Sequence, residues 1–95
     1  GGIPRGCVVE TNVSMTRNSI VPLMAGKLPD EVNSLVTRQV INQETILKAG
    51  LNKDKELAFC AFANDALMTL NIHDARMLFN EMLAKTKAYL PGWDL

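Results

Sequence analysis

Apolar and polar residues alternate from Cys7 to Met15. Cys7, Val9, Thr11, Val13 and Met15 fall on one side of an extended chain, and Val8, Glu10, Asn12 and Ser14 on the other. Alternation at period two predicts a strand with one largely apolar face. Thr16-Arg17-Asn18-Ser19 supplies turn residues, and Ile20 to Met24 resumes an extended apolar run that contains Pro22. Proline cannot donate to a ladder, so this second run suits an edge strand, and the pair predicts a hairpin. A two-stranded hairpin is marginal in water, which implies a larger sheet completed by further sequence or by another copy.

Beyond Gly26 the period changes. Pro29 stands near the first position of a helix whose positive end is favoured by Asp30 and Glu31. Over about residues 30–49, a period of 3.6 puts Val32, Leu35, Val36, Val40, Ile46 and Leu47 on one stripe. Gln39 and Gln43 fall inside that stripe, so their amides are expected to need partners: nearby backbone or water first, a neighbouring substrate domain second. A second helix, over roughly 53–67, carries Leu57, Phe59, Cys60 and Phe62 around its whole circumference, the pattern of a helix buried on several sides. The third opens on Asn71 as N-cap, with Asp74 three residues on as a variant capping box. Its apolar stripe is Ile72, Ala75, Leu78, Phe79, Met82, Leu83, Tyr89 and Leu90, with Glu81 and Lys85 paired outside. Pro91-Gly92 stops it, leaving Trp93-Asp94-Leu95 as a tail that reads as a terminus. The fold class expected is α+β, a short antiparallel hairpin followed by three helices. Residues 1–95 form one fragment, with the hairpin and loop in 1–28 and the helical part in 29–95.

With 95 residues and 47% hydrophobic content there is room for one core. Ten basic and ten acidic residues are dispersed along the chain, which gives no footprint for a nucleic acid. The longest apolar run, Leu57 to Ala63, is far short of the roughly 20 residues that cross a bilayer. No signal-peptide pattern opens the sequence, and Cys7 and Cys60 fit no CxxC pattern and sit among apolar neighbours as buried thiols do. These features point to the reducing cytoplasm.

Candidate chemistry is sparse. One histidine, His73, and two separated cysteines cannot make a zinc site of three or four ligands. There is no G-x-S-x-G elbow and no glycine-rich phosphate loop. Glu10 and Asp65 are the least surface-like carboxylates, although the default for either is a solvated or hydrogen-bonded side chain. The five methionines read as filler for irregular cores or interfaces.

Gly6-Cys7-Val8-Val9-Glu10-Thr11-Asn12-Val13, Arg17-Asn18-Ser19-Ile20-Val21-Pro22-Leu23 and Gly26-Lys27-Leu28-Pro29 resemble the final hairpin and following loop of glycoside hydrolase family four. Asn42-Gln43-Glu44, Asp65-Ala66-Leu67 and Tyr89-Leu90-Pro91 follow in the family's order, so the resemblance covers nearly the whole chain. It implies the C-terminal part of a lactate/malate dehydrogenase-like enzyme that is bacterial and cytoplasmic. Such an enzyme uses NAD and a divalent metal, usually manganese, to break glycosides by transient oxidation and elimination, outside the usual two-carboxylate scheme. Among the family's substrates it points to an unphosphorylated α-galactoside or α-galacturonide.

The resemblance also sets limits. The family's metal-binding Cys and His, its catalytic Asp and Tyr and its NAD loop belong to upstream motifs without a counterpart here, and Cys7 and His73 are not those residues. No catalytic, cofactor-binding or metal-binding residue is therefore carried over. The expected partners are the remainder of the parent enzyme and further copies of it, and the fragment alone is expected to be inactive. Members often carry Asn-Gly where this chain has Asn18-Ser19, so a different turn type is expected. Two other readings fit the residues: a freestanding helical oligomerisation module, and the tail of a 2-hydroxy-acid dehydrogenase.

Overall fold

A computed structural model describes residues 1–95. The order of elements is β1 (Val13–Met15), β2 (Ile20–Pro22), α1 (Asp30–Asn52), α2 (Lys55–Ala63) and α3 (Ile72–Thr86), followed by a 3₁₀ turn over Lys87–Tyr89. This is the α+β layout of a hairpin and three helices. The chain divides into two compact units, Gly1–Val40 and Ile41–Leu95.

In the first unit β1 and β2 pair antiparallel, Val13 opposite Pro22, Ser14 opposite Val21 and Met15 opposite Ile20. The Leu23 N–H donates to the Asn12 carbonyl at 2.8 Å and the Thr16 N–H to the Ser19 carbonyl at 2.9 Å. The hydrogen-bonded positions are therefore Asn12/Leu23, Ser14/Val21 and Thr16/Ser19, since bonded and non-bonded pairs alternate along an antiparallel ladder. Pro22 falls at a non-bonded position, where its missing N–H costs the hairpin nothing. In the turn neither Arg17 nor Asn18 has positive φ, which excludes the primed turns of tight hairpins. The hydroxyls of Thr16 and Ser19 close it instead, at 2.7 Å.

The ladder is shorter than the alternation from Cys7 to Met15 predicts. Extended chain becomes a strand only where a partner lies opposite, and pairing ends at Asn12 and Leu23, where the Thr11 hydroxyl donates to the Leu23 carbonyl at 3.1 Å. Every residue of both strands is exposed.

Helix α1 starts where the Pro29 carbonyl accepts from the N–H groups of Val32 and Asn33. Proline thus stands just before the helix rather than inside it. The face covered within this unit is Asn33, Val36, Thr37 and Val40, spaced i, i+3, i+4, i+7, whereas Val32 and Leu35 are exposed. The Asn33 amide donates to the Gly2 carbonyl at 3.1 Å. Gly2 has φ +88°, and a Cβ there would meet that amide at 3.4 Å.

In the second unit α1 runs through Gly50 to Asn52, past the expected end near Ala49. It closes with Lys53 at φ 53°. The Lys53 N–H reaches the Gly50 carbonyl and the Asp54 N–H the Ala49 carbonyl, the paired bonds of a Schellman motif with lysine in the left-handed position where glycine is usual. Asp54 then caps α2, its Oδ1 accepting from the Leu57 N–H at 3.0 Å. Helix α2 is shorter than the 53–67 expected: the Asp65 carboxylate accepts from the Leu67 N–H at 2.8 Å, and this local Asx turn competes with helix. Helix α3 is capped as its sequence predicts. Asn71 Oδ1 accepts from the Asp74 N–H at 2.9 Å, while the Asp74 carboxylate accepts from the Asn71 side-chain amide instead of the backbone N–H of a full capping box.

Phe59, Ala75 and Phe79 form the core between α2 and α3, with Phe62, Met68 and Leu83 packed against it. Phe79 makes an edge-on contact with Phe59 and a tilted one with Phe62, both with centroids 5.4 Å apart. The α3 stripe is narrower than expected. Ala75 and Phe79 are buried, whereas Ile72, Leu78, Met82 and Tyr89 are exposed, and Tyr89 lies beyond the helix in the 3₁₀ turn. Helix α2 likewise buries Phe59 and Ala61 but leaves Cys60 exposed, so only part of its circumference is covered here. No helix is long and apolar enough to cross a membrane.

Candidate functional site

A concave feature of the second unit is an open groove of about 550 Å³ between the C-terminal half of α1, α2 and α3. Ile46, Phe62, Leu67, Met68, Leu70 and Leu78 supply its apolar lining, and Asn42 and Asp65 are among its polar side chains. Both are already engaged. Asn42, 6% exposed, donates its amide to the Ala61 carbonyl at 3.0 Å, and Asp65 holds the Leu67 N–H. Ala61 lies in the last turn of α2, where a carbonyl has no i+4 donor, because the Asp65 N–H points to the Phe62 carbonyl. Asn42 therefore caps α2 from a different helix.

A sugar needs partners for its hydroxyls, and a groove whose amide and carboxylate serve the protein's own backbone suits an apolar side chain better. At its other side the core is sealed by Arg76, whose guanidinium lies 3.6 Å over the Phe59 ring and makes two bonds to Glu56, at 2.8 and 3.2 Å.

The residues weighed from sequence do not converge. Glu10, in the first unit, and Asp65, in the second, are both exposed, which corrects their reading as the least surface-like carboxylates. His73 is the second residue of α3 and exposed. Cys7 is half-buried, its Sγ donating to the Pro4 carbonyl at 3.0 Å, and Cys60 is exposed, so neither is the fully buried thiol that its apolar neighbours suggested. Gln39 and Gln43 are exposed too, and in the second unit α1 turns Asn42 and Ala49 inward in place of Gln43, so neither glutamine amide is buried. No group of three or more His, Cys, Asp or Glu side chains comes together to hold a metal. The sequence marks Asn42 only as part of a family fragment, because its capping role depends on a carbonyl brought to it by the fold.

Residues 1–68 match the model of the family 4 glycosyl hydrolase C-terminal domain. The chain belongs to that family. Among its family 4 relatives, the alpha-galacturonidase of Thermoanaerobacterium saccharolyticum is 58% identical over 99% of this chain, and that of Bacillus subtilis 47% identical over 85%. These alignments cover 20% and 18% of the two relatives, so the chain spans about a fifth of the length of the proteins it matches. A crystal structure of a Bacillus subtilis protein named as a glucosidase, lplD, superposes with a TM-score of 0.69 and 41% identity. It covers 87% of this chain and 20% of that one. The chain is thus a glycosidase C-terminal region.

Proposed function

We propose that this chain is the C-terminal segment of an α-galacturonidase, an enzyme that hydrolyses α-linked galacturonides by NAD-dependent oxidation and elimination with a divalent metal, manganese. The observation that carries the reading is the 58% identity across 99% of the chain to a protein named alpha-galacturonidase. Residues 1–95 act as one structural piece whose role is to complete the core of the parent and to supply contacts between its subunits. Exposed apolar side chains on the hairpin and on α1, such as Met15, Ile20, Leu35 and Leu51, support both contacts, because monomers rarely leave large apolar patches in water.

NAD and manganese do not fit the residues present. The chain has no glycine-rich phosphate loop, and its one histidine is exposed and belongs to no group of three or more metal-ligating side chains. On this reading both are held by other parts of the parent. Two free thiols and an NAD requirement support a cytoplasmic location.

The test is hydrolysis of a chromogenic α-galacturonide by the full-length protein, with NAD and manganese added or withheld. Turnover that requires both, with the corresponding α-galactoside and α-glucoside slower, is the expected result. Equal turnover on all three would overturn the substrate assignment, turnover without either cofactor the mechanism, and turnover by residues 1–95 alone the structural role.

A further inference from the structure

The two edges of the hairpin are not equivalent. Val13/Pro22 and Met15/Ile20 are the non-bonded pairs of the ladder, so their backbone groups point away from the hairpin. The outer edge of β1 presents an N–H and a carbonyl at both Val13 and Met15. The outer edge of β2 presents both at Ile20 but only a carbonyl at Pro22. An incoming strand would find matched donors and acceptors on β1 and a gap on β2, and proline at an outer edge is a common means of ending a sheet.

The side chains point the same way. Val13, Met15, Ile20 and Pro22 share one face, all apolar, with Met15 and Ile20 about 70% exposed. This is the face a sheet would lay on a core, yet two strands of three residues cannot hold such a face by themselves. The occupant is indicated by length: the chain spans a fifth of its relatives, leaving some four-fifths of such a protein to provide a strand.

We propose that β1 is an interior strand of a larger sheet, paired on its outer edge by a strand from elsewhere in the same polypeptide, and that β2 is the end of that sheet. This rests on the reading of the chain as a segment of a longer enzyme and adds which edge is joined and which is closed. The backbone groups of Val13 and Met15 are the docking groups, and Pro22 is the terminator.

Residue-resolved hydrogen exchange on the full-length protein, without substrate or cofactor, tests this. The expected result is exchange at Val13 and Met15 about a hundredfold or more slower than at Ile20, because a paired amide exchanges only through opening of the sheet. Protection at Ile20 with fast exchange at Val13 and Met15 would put the added strand on β2 and overturn the proposal. Fast exchange at all three, or protection at all three, would overturn it as well. Protection at Val13 and Met15 that disappears on dilution would mean that a second copy supplies the strand, overturning the assignment to the same polypeptide. Because the measurement needs no activity, its outcome is independent of whether the enzyme hydrolyses a galacturonide.

Discussion

Asn42 offers the sharpest test of how the helical unit holds together. Its amide is the donor for the Ala61 carbonyl, and Ala61 is 1% exposed, so water cannot replace a lost partner. Asn42→Leu keeps the side-chain volume nearly constant while removing the donor. The net hydrogen bond is worth about 1 kcal/mol, and a buried carbonyl left unpaired costs roughly 1–3 kcal/mol. Added apolar burial by leucine offsets part of this, and a loss of about 1–2 kcal/mol is expected. Asn42→Asp replaces the donor with a charged acceptor at the negative end of α2, adding an unfavourable dipole interaction of about 0.3–1 kcal/mol and the cost of burying a carboxylate. It is expected to lose at least about 3 kcal/mol at neutral pH.

The aspartate variant carries its own internal control. In the folded state an Asp at this site has its pKa raised, because the neutral form can donate to the carbonyl and the charged form cannot. Its deficit is therefore smallest below the pKa of the unfolded chain, about 4, and grows to a plateau as pH rises through the folded pKa. Native-state hydrogen exchange of the α2 amides in the full-length protein reads this local free energy even where global unfolding is not two-state. A leucine variant within about 0.5 kcal/mol of wild type, or an aspartate variant no worse than leucine at neutral pH, would refute the capping argument.

Two other substitutions probe the same unit. Lys53→Gly should relieve about 1–2 kcal/mol of left-handed strain at φ 53° against about 0.5–1 kcal/mol of added chain entropy, for a net gain of roughly 0.5 kcal/mol in the exchange stability of the α1 C-terminus. Slower exchange there confirms the Schellman cap, whereas faster exchange means that the lysine side chain contributes more than its backbone costs. Arg76→Ala removes the contact with Phe59 and the half-exposed pair with Glu56, together about 1–2 kcal/mol, while Glu56→Gln should cost under about 1 kcal/mol. A thermal midpoint that falls equally for the two variants would show that the ion pair, not the ring contact, dominates.

Local sequence determined the elements whose causes are themselves local. Alternation marked the hairpin, Pro22 marked its edge, Asn71 and Asp74 set the start of α3, and the ordered fragments from Gly6 to Pro91 marked the family. Tertiary structure decided what those elements bury. The stripe assigned to α1 supposed one apolar face along its whole length. Within the second unit the covered residues are instead Asn42 and Ala49, because a polar amide there meets the open end of α2, and Gln39 and Gln43 are left in water. Helix α1 continues through Gly50 to Asn52, past the end expected near Ala49. Lys53 takes the left-handed position because the turn into α2 requires it there, at a cost small enough for packing to override preference. Asp65 ended α2 early by bonding its own turn, a competition that periodicity cannot weigh. A pattern of hydrophobicity says which residues prefer burial, but the surface that receives them, like the carbonyl waiting for Asn42, comes from residues distant in the chain.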